Sequence, residues 1–181
     1  MANAAGLGRV GIVAFGMGLG MLAFVLMMPI TSVAADSHAV AADAALSAQL
    51  AAVDVALAQH NGPAATGALQ SAYQAALGGR RWQGMIAYGD AAQRVAKLTG
   101  AHQVGLEQAR RAYLLALYRA RTERSVEGAL AATQSFMWLG DREVAQGCLS
   151  VARRLATTAA DQQRVKEISV RIGETQLSAM D

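Results

Sequence analysis

Apolar residues recur every three or four positions along most of the chain, and this spacing predicts amphipathic helices. The pattern predicts seven of them, with apolar stripes at Leu46–Leu57, Leu69–Leu77, Met85–Val95, Leu106–Ala120, Val126–Met137, Val144–Leu155 and Val165–Ile172. Gly, Pro, Asn and Asp interrupt the pattern between several of these stripes, which indicates turns. Because the connections are only a few residues long, we expect consecutive helices to pack antiparallel.

The composition agrees with an all-α fold. Only two of the 181 residues are proline, the residue that destabilises a helix interior by about 3 kcal/mol relative to alanine, and the body is rich in alanine. We therefore expect antiparallel helical hairpins, stacked as a short array or arranged as a compact bundle. Residues 45–181 are expected to form this one domain, and residues 36–44, where the periodicity is weaker, a flexible spacer.

An unbroken apolar run, Val10–Ile30, comes before the amphipathic stripes and predicts one N-terminal apolar helix. Its length is close to the roughly 20 residues that span a bilayer. Pro29 and the small residues of Ser32-Val33-Ala34 are typical of a signal-peptide cleavage site. Residues 1–35 are therefore either a signal peptide, cleaved near Ala34, or a retained membrane anchor.

The charges around this run predict its topology. Arg9 precedes the run, and the next basic residue after it is Arg80. The positive-inside rule then places the body of the chain outside the cytoplasm. The residue usage is typical of bacterial proteins, so we expect the periplasm, with the domain either soluble or anchored in the inner membrane.

Residues 126–159 resemble a tetratricopeptide repeat, a helical hairpin of about 34 residues. Ala145 and Ala152 take the small positions at which its two helices cross, and Leu149 takes the bulky position between them. Phe136 occupies the aromatic position late in the first helix, and Gly140-Asp141 occupies the turn.

The resemblance is incomplete. Ala129 stands where the family has a large aromatic residue, Thr133 where it has a small one, and Thr157 where it has proline. A weaker match covers residues 65–98, with its turn at Gly79. The two windows do not share one register.

The resemblance implies an interaction module whose first helices line a groove for another protein. The groove positions that it implies are Glu127, Leu130, Gln134, Met137 and Trp138, joined by Asp90, Arg94 and Lys97 from the third amphipathic helix. The alternatives are core packing for Met137 and Trp138, and an exposed charged face for the other three. The last helix would cap the array.

The residues that could carry chemistry predict no enzyme. We find no catalytic motif and no residue set for a metal site or a cofactor, because the three histidines have no partner at helical spacing. Cys148 lies among apolar positions and is expected to be a buried, unreactive thiol. Trp82 follows two arginines, and its position fits a cation–π contact, an interface anchor or burial.

The distribution of charged residues indicates which kinds of partner the chain could bind. The net charge is +3, and the basic and acidic residues of the second half are interleaved, as on a solvated helical surface. No feature points to nucleic acid or to a small-molecule substrate. The sequence therefore predicts an exported adaptor that binds another cell-envelope protein, or alternatively a single-pass accessory subunit of a membrane complex.

Overall fold

The computed structural model describes the backbone of residues 30–177 and the side chains of residues 40–173. The chain divides into two compact units, residues 1–36 and 37–181, and the second is described below. The described residues form seven helices: α1 Ile30–Ala58, α2 Gly62–Gly79, α3 Trp82–Thr99, α4 His102–Thr122, α5 Val126–Trp138, α6 Arg142–Leu155 and α7 Ala159–Leu177. The prediction of an all-α fold is confirmed. The apolar run at 10–29 lies outside the described residues.

Local signals place the ends of the helices. The side chain of Asn61 accepts a hydrogen bond from the amide of Ala64 (3.1 Å) and so caps the start of α2. Ser125 does the same for α5 through the amide of Gly128 (3.0 Å). Gly100 ends α3 with φ at +75°, a conformation that glycine adopts without steric cost. These side-chain caps satisfy amide groups that the first turn of a helix leaves without a partner.

Two local predictions need correction. Residues 36–44, expected to form a flexible spacer, are helical and belong to α1, because the segment contains no proline or glycine and four of its nine residues are alanine. Leu106, expected on the inner face of α4, is 43% exposed. Gly105 takes the buried position instead, since its lack of a side chain lets the start of α4 approach Ala96 of α3.

The helices form two layers of antiparallel hairpins. Besides the contacts between consecutive helices, α3 contacts α5, α5 contacts α7, and α4 contacts α6. Asp54 of α1 forms an ion pair with Arg94 of α3. One layer therefore contains α1, α3, α5 and α7, and the other contains α2, α4 and α6, which is the arrangement of a stacked hairpin array.

The hairpin of α3 and α4 is the most closely packed part of the array. A Cβ on Gly89 would lie 2.4 Å from Cε1 of Tyr113, whose ring is fully buried. The Tyr113 hydroxyl donates to Oδ1 of Asp90 (2.6 Å) and accepts from Nε2 of Gln93 (2.7 Å). Burial, together with the Asp90 carboxylate, raises the pKa of Tyr113, so this hydroxyl stays protonated and holds α3 to α4.

One stretch within the described residues, Val40–Ala58 of α1, is long and apolar enough to cross a membrane by length and composition. The core helix of a soluble protein can pass the same test. Here only 17% of the stretch is buried, so most of its apolar surface does not belong to the core. Its two acids are turned toward the domain, where Asp43 lies 3.8 Å from Arg81 and Asp54 pairs with Arg94. The outer face of α1 is therefore apolar and exposed.

Candidate protein-binding site

Helix α5 supplies the first wall of the candidate site. Its inner face, with Ala129, Ala132 and Phe136, is fully buried. Thr133 is also buried there, and its hydroxyl donates to the carbonyl of Ala129 (2.8 Å), so the polar atom has a partner within its own helix. Burial of this face leaves the opposite side of α5 as the side that can meet a partner.

Helix α7 supplies the second wall. Val165, Ile168 and Ile172 recur at helical spacing and pack with Leu130 of α5 and Leu149 of α6. These branched side chains keep α7 against the last hairpin, as expected for a capping helix. Its outward positions carry mostly polar and charged residues, with Val170 as an exposed apolar one, which suits the solvent-facing end of a helical array.

A groove runs between these two walls. It consists of two adjoining depressions of about 320 and 420 Å³, which share Gln134, Ile168 and Arg171 as lining residues. The smaller is also lined by Glu127 and Leu130. The larger is lined in addition by the last two predicted residues of α5, described next. All five groove positions that the repeat resemblance implies for α5 line this groove.

The most exposed large apolar side chain of the described residues lies at one end of the groove. Trp138, the last residue of α5, is 87% exposed. Met137 beside it is half-buried. Trp138 therefore does not pack in the core, which was the alternative to a place in the groove. Tryptophan and methionine are enriched in protein interfaces, and buried tryptophan contributes much of the binding energy where it occurs.

The other three predicted residues lie elsewhere. Asp90 accepts the hydrogen bond from Tyr113, Arg94 pairs with Asp54, and Lys97 is exposed in the last turn of α3. None of them lines the groove of α5 and α7. Asp90 and Arg94 hold neighbouring helices together.

The far wall of the groove was missed at the sequence level. Ile168 is buried, as its place in the apolar stripe of α7 predicts. It lines the groove because α7 packs on α5, and the sequence alone does not show that packing. Trp82 is buried, the alternative to a cation–π contact, and it also lines the smaller depression. A Cβ on Gly128 would lie 2.8 Å from its ring, so the absence of a side chain at 128 makes room for it.

The charges of the groove are mixed. Arg164 pairs with Asp161 (2.6 Å), and Glu167 accepts from Gln163 (3.1 Å). Acidic and basic groups therefore alternate along the rim, and exposed pairs of this kind contribute little stability. The rim of the groove therefore presents groups of both charges to solvent.

Within the described residues, no group of three or more His, Cys, Asp and Glu side chains could hold a metal ion. Cys148 is buried, and burial raises the pKa of its thiol to about 11. The thiolate, which is the reactive form, is therefore scarce at neutral pH.

Comparison with known protein families, with curated proteins and with solved structures found no match.

Proposed function

We propose that this chain is an exported, tetratricopeptide-like interaction module that binds another protein of the cell envelope through the groove of α5 and α7. The observation that carries the proposal is Trp138, an 87% exposed tryptophan at the end of an apolar-floored groove. Leaving such a side chain in water is unfavourable by about 25 cal/mol for each Å² of apolar surface. A partner that covers it recovers this free energy.

The dimensions of the groove suit a protein segment. From Glu127 to Trp138 the wall of α5 spans about 16 Å at 1.5 Å per residue. That length matches three turns of a helix or about five residues of an extended peptide. Apolar floor, mixed-charge rim and an aromatic residue at the end are the features of a peptide- or helix-binding groove.

The proposed location is the periplasm, with the domain outside the inner membrane. The apolar run Val10–Ile30 with Arg9 before it supports export, by the positive-inside rule. The partner is then another envelope protein, since the groove would face that compartment.

The first experiment compares two single-aromatic variants in the cells that make the protein. Trp138→Ala removes the groove residue, and Tyr118→Ala removes a matched exposed aromatic, 68% exposed, from α4. Both chains should fold, because neither side chain is buried. We expect proteins that co-purify with the wild type to fall at least tenfold with Trp138→Ala, since interface tryptophans contribute roughly 2 kcal/mol or more, and to persist with Tyr118→Ala.

A photo-crosslinking residue placed at 134 or at 138 makes the test direct. The proposal requires crosslinks from both positions to the same protein, and none from position 118. Equal recovery of that protein with Trp138→Ala would refute the groove as the binding site.

A second function is favoured by a separate observation, the exposed and apolar outer face of α1. In this alternative the apolar run is retained, and the chain is a single-pass accessory subunit of a membrane complex. N-terminal sequencing and fractionation of the native protein distinguish the two. A soluble chain that begins near Asp36 excludes the anchored subunit, and an intact N-terminus in the membrane fraction excludes the free module.

A further inference from the structure

Three of the connections between helices lie at the same end of the domain. Because consecutive helices are antiparallel, the turns that follow α2, α4 and α6 share one end, and those that follow α1, α3 and α5 share the other. Arg119, in the last turn of α4, donates to the carbonyl of Arg81 after α2 (3.0 Å). Val126, at the start of α5, packs in one cluster with Leu155, at the end of α6. These contacts bring the three turns together.

This end of the domain is basic. Its turns and the adjoining turns of helix carry six exposed arginines, which we call the basic end: Arg80, Arg81, Arg121, Arg124, Arg153 and Arg154. Together with Arg119 they outnumber the acids beside the same turns, which are Asp43, Glu123, Glu127 and Asp161. The three turns at the other end balance Lys97 and Arg142 with Asp141 and Glu143. The positive charge is therefore concentrated at one end.

Most arginines of the basic end have no ionic partner. Four of them form no ion pair within the described residues: Arg80, Arg121, Arg124 and Arg154. Two of the neighbouring acids are already neutralised, Asp43 by Arg81 (3.8 Å) and Asp161 by Arg164 (2.6 Å). Several unpaired charges of one sign on one surface attract a partner of the opposite sign.

The backbone at two of these arginines is unusual. Arg80 has φ of +58° and Arg124 has φ of +54°, in the left-handed region that glycine adopts without steric cost. At the other end of the domain the residues with positive φ are Gly100, Gly140 and His60. Residues other than glycine seldom adopt this conformation. The turn alone therefore does not account for arginine at both positions.

The chain enters the domain at the basic end. A Cβ on Gly79, just before the turn that follows α2, would lie 2.7 Å from the carboxylate of Asp43 in α1. From Asp43, α1 runs to Ala58 at the other end. Twelve residues of sequence separate Asp43 from the apolar run Val10–Ile30. A bilayer that holds this run is therefore closer, along the chain, to the basic end than to the opposite end.

The spread of the arginines suits a lipid surface. They belong to three separate turns, and an array of anionic headgroups can contact all three at once without a match in shape. A protein partner would instead need an apolar centre in the contact, surrounded by polar groups, and the basic end is defined by charged groups.

We propose that the basic end docks on a bilayer that contains anionic phospholipids, with headgroup phosphates against Arg80, Arg121, Arg124 and Arg154. Arginine binds phosphate through two parallel N–H···O contacts. Trp138 ends α5 at the opposite end of the domain, so docking leaves it away from the lipid. The docking surface is therefore separate from the proposed protein-binding groove, and either can fail without the other.

Two fluorescent labels on one helix test the docking. Thr122→Cys and Gln103→Cys each provide a thiol for an NBD label, at exposed positions about 28 Å apart along α4, whereas the buried Cys148 stays unlabelled. The protein is purified from its cells and mixed with vesicles if soluble, or reconstituted into them if it retains the apolar run. With phosphatidylglycerol in phosphatidylcholine vesicles, we expect the emission at 122 to rise and that at 103 to stay constant. Phosphatidylcholine alone should change neither.

Removal of charge tests the arginines themselves. Arg80→Gln with Arg124→Gln should lower the docking constant reported by the label at 122 at least tenfold, because each basic residue near an anionic surface strengthens binding about fivefold. Arg121→Gln with Arg154→Gln should have the same effect without altering a residue of positive φ. The matched control, Lys97→Gln with Arg111→Gln, removes two exposed charges outside the basic end and should change docking less than about twofold.

Equal responses of the two labels, an equal response to phosphatidylcholine alone, or unchanged docking in both arginine pairs would overturn the proposal. Loss of a co-purifying acidic protein from Arg80→Gln with Arg124→Gln, without any response of the wild type to vesicles, would also overturn it, because the basic end would then bind protein.

Discussion

The hairpin of α3 and α4 and the end of the array at α7 are built by different packing. In the hairpin, glycines and alanines bring two backbones together: a Cβ on Gly105 would lie 2.1 Å from that of Ala96. At the α7 end, Val165, Ile168 and Ile172 hold the helix through branched side chains. In the hairpin, the backbones of α3 and α4 lie close together with little space between them. At the α7 end, the side chains keep α5 and α7 apart.

This difference explains where the protein-binding groove lies. Small residues at a crossing bring the two helices together and leave little space between them. Branched side chains separate α5 from α7, and the space that they leave above the contact becomes the two adjoining depressions beside Trp138. We infer that the close hairpin is the rigid support of the domain and that the α7 end is its adjustable part.

The largest expected effect is at the close hairpin. Gly89→Ala places a methyl group 2.4 Å from the Tyr113 ring, which is buried and held by Asp90 and Gln93. Overpacking of this kind typically costs about 1–3 kcal/mol, and we expect a loss of about 3 kcal/mol in the free energy of unfolding because the ring cannot move aside. Urea denaturation monitored by circular dichroism measures it.

Gly147→Ala is the control for this substitution. Nothing lies within 4 Å of the position that a Cβ would take on Gly147 of α6. The same substitution should therefore stabilise the protein there, by about 0.5–1 kcal/mol through helix propensity. Similar effects at both glycines would show that the hairpin of α3 and α4 is not closely packed.

A smaller loss is expected at the adjustable end. Ile168→Ala removes a buried side chain that holds α7 to α5 and lines both depressions. Such truncations cost about 2–5 kcal/mol, and least where the structure can collapse into the space. We expect about 2 kcal/mol, with faster hydrogen exchange confined to α7. Val170→Ala, at an exposed position of the same helix, should change stability by less than about 0.5 kcal/mol.

Hydrogen exchange that rises equally in α3 and α7 of Ile168→Ala would contradict this separation. The array would then unfold as one cooperative unit, and the α7 end would be no more adjustable than the hairpin.

The sequence was sufficient for the helices because their signals are local. Asn61 and Ser125 cap helices by contacts with residues three positions away, and such contacts depend only on the order of the residues. The stripe of Val165, Ile168 and Ile172 was recognisable for the same reason. The residues predicted to line a groove on α5 came from a hairpin resemblance that also rests on neighbouring residues, and their role in binding stays a prediction.

What was missed depends on contacts between distant residues. Leu106 and Gly105 are neighbours on α4, and only the approach of Ala96 decides that the glycine is the buried one. The backbones of α2 and α4 do not touch although both helices belong to one layer, and no local pattern shows that this contact is missing. Alanine is common on both faces of these helices, so the apolar pattern does not always show which face is buried.

The smallest expected effect concerns acid at the start of α7. The carboxylate of Asp161 accepts from Thr158 (2.7 Å) and Arg164 (2.6 Å), and Thr158 in turn accepts from the amide of Asp161 (3.1 Å). The hydrogen bonds from Thr158 and Arg164 lower the pKa of Asp161 below its usual 3.8. A lowered folded-state pKa means that the ionised cap stabilises the helix above pH 4 and that this contribution is lost as the pH falls below it.

Hydrogen exchange in the first turn of α7 should therefore accelerate as the pH falls below about 4, relative to the rate expected for an unstructured chain, while α3 and α4 stay protected. Asp161→Asn keeps the shape of the side chain but cannot ionise, so in that variant the first turn should exchange at a pH-independent protection factor. If the wild type and Asp161→Asn respond to acid alike, this carboxylate does not hold the start of α7, and the adjustable end is anchored by its apolar contacts alone.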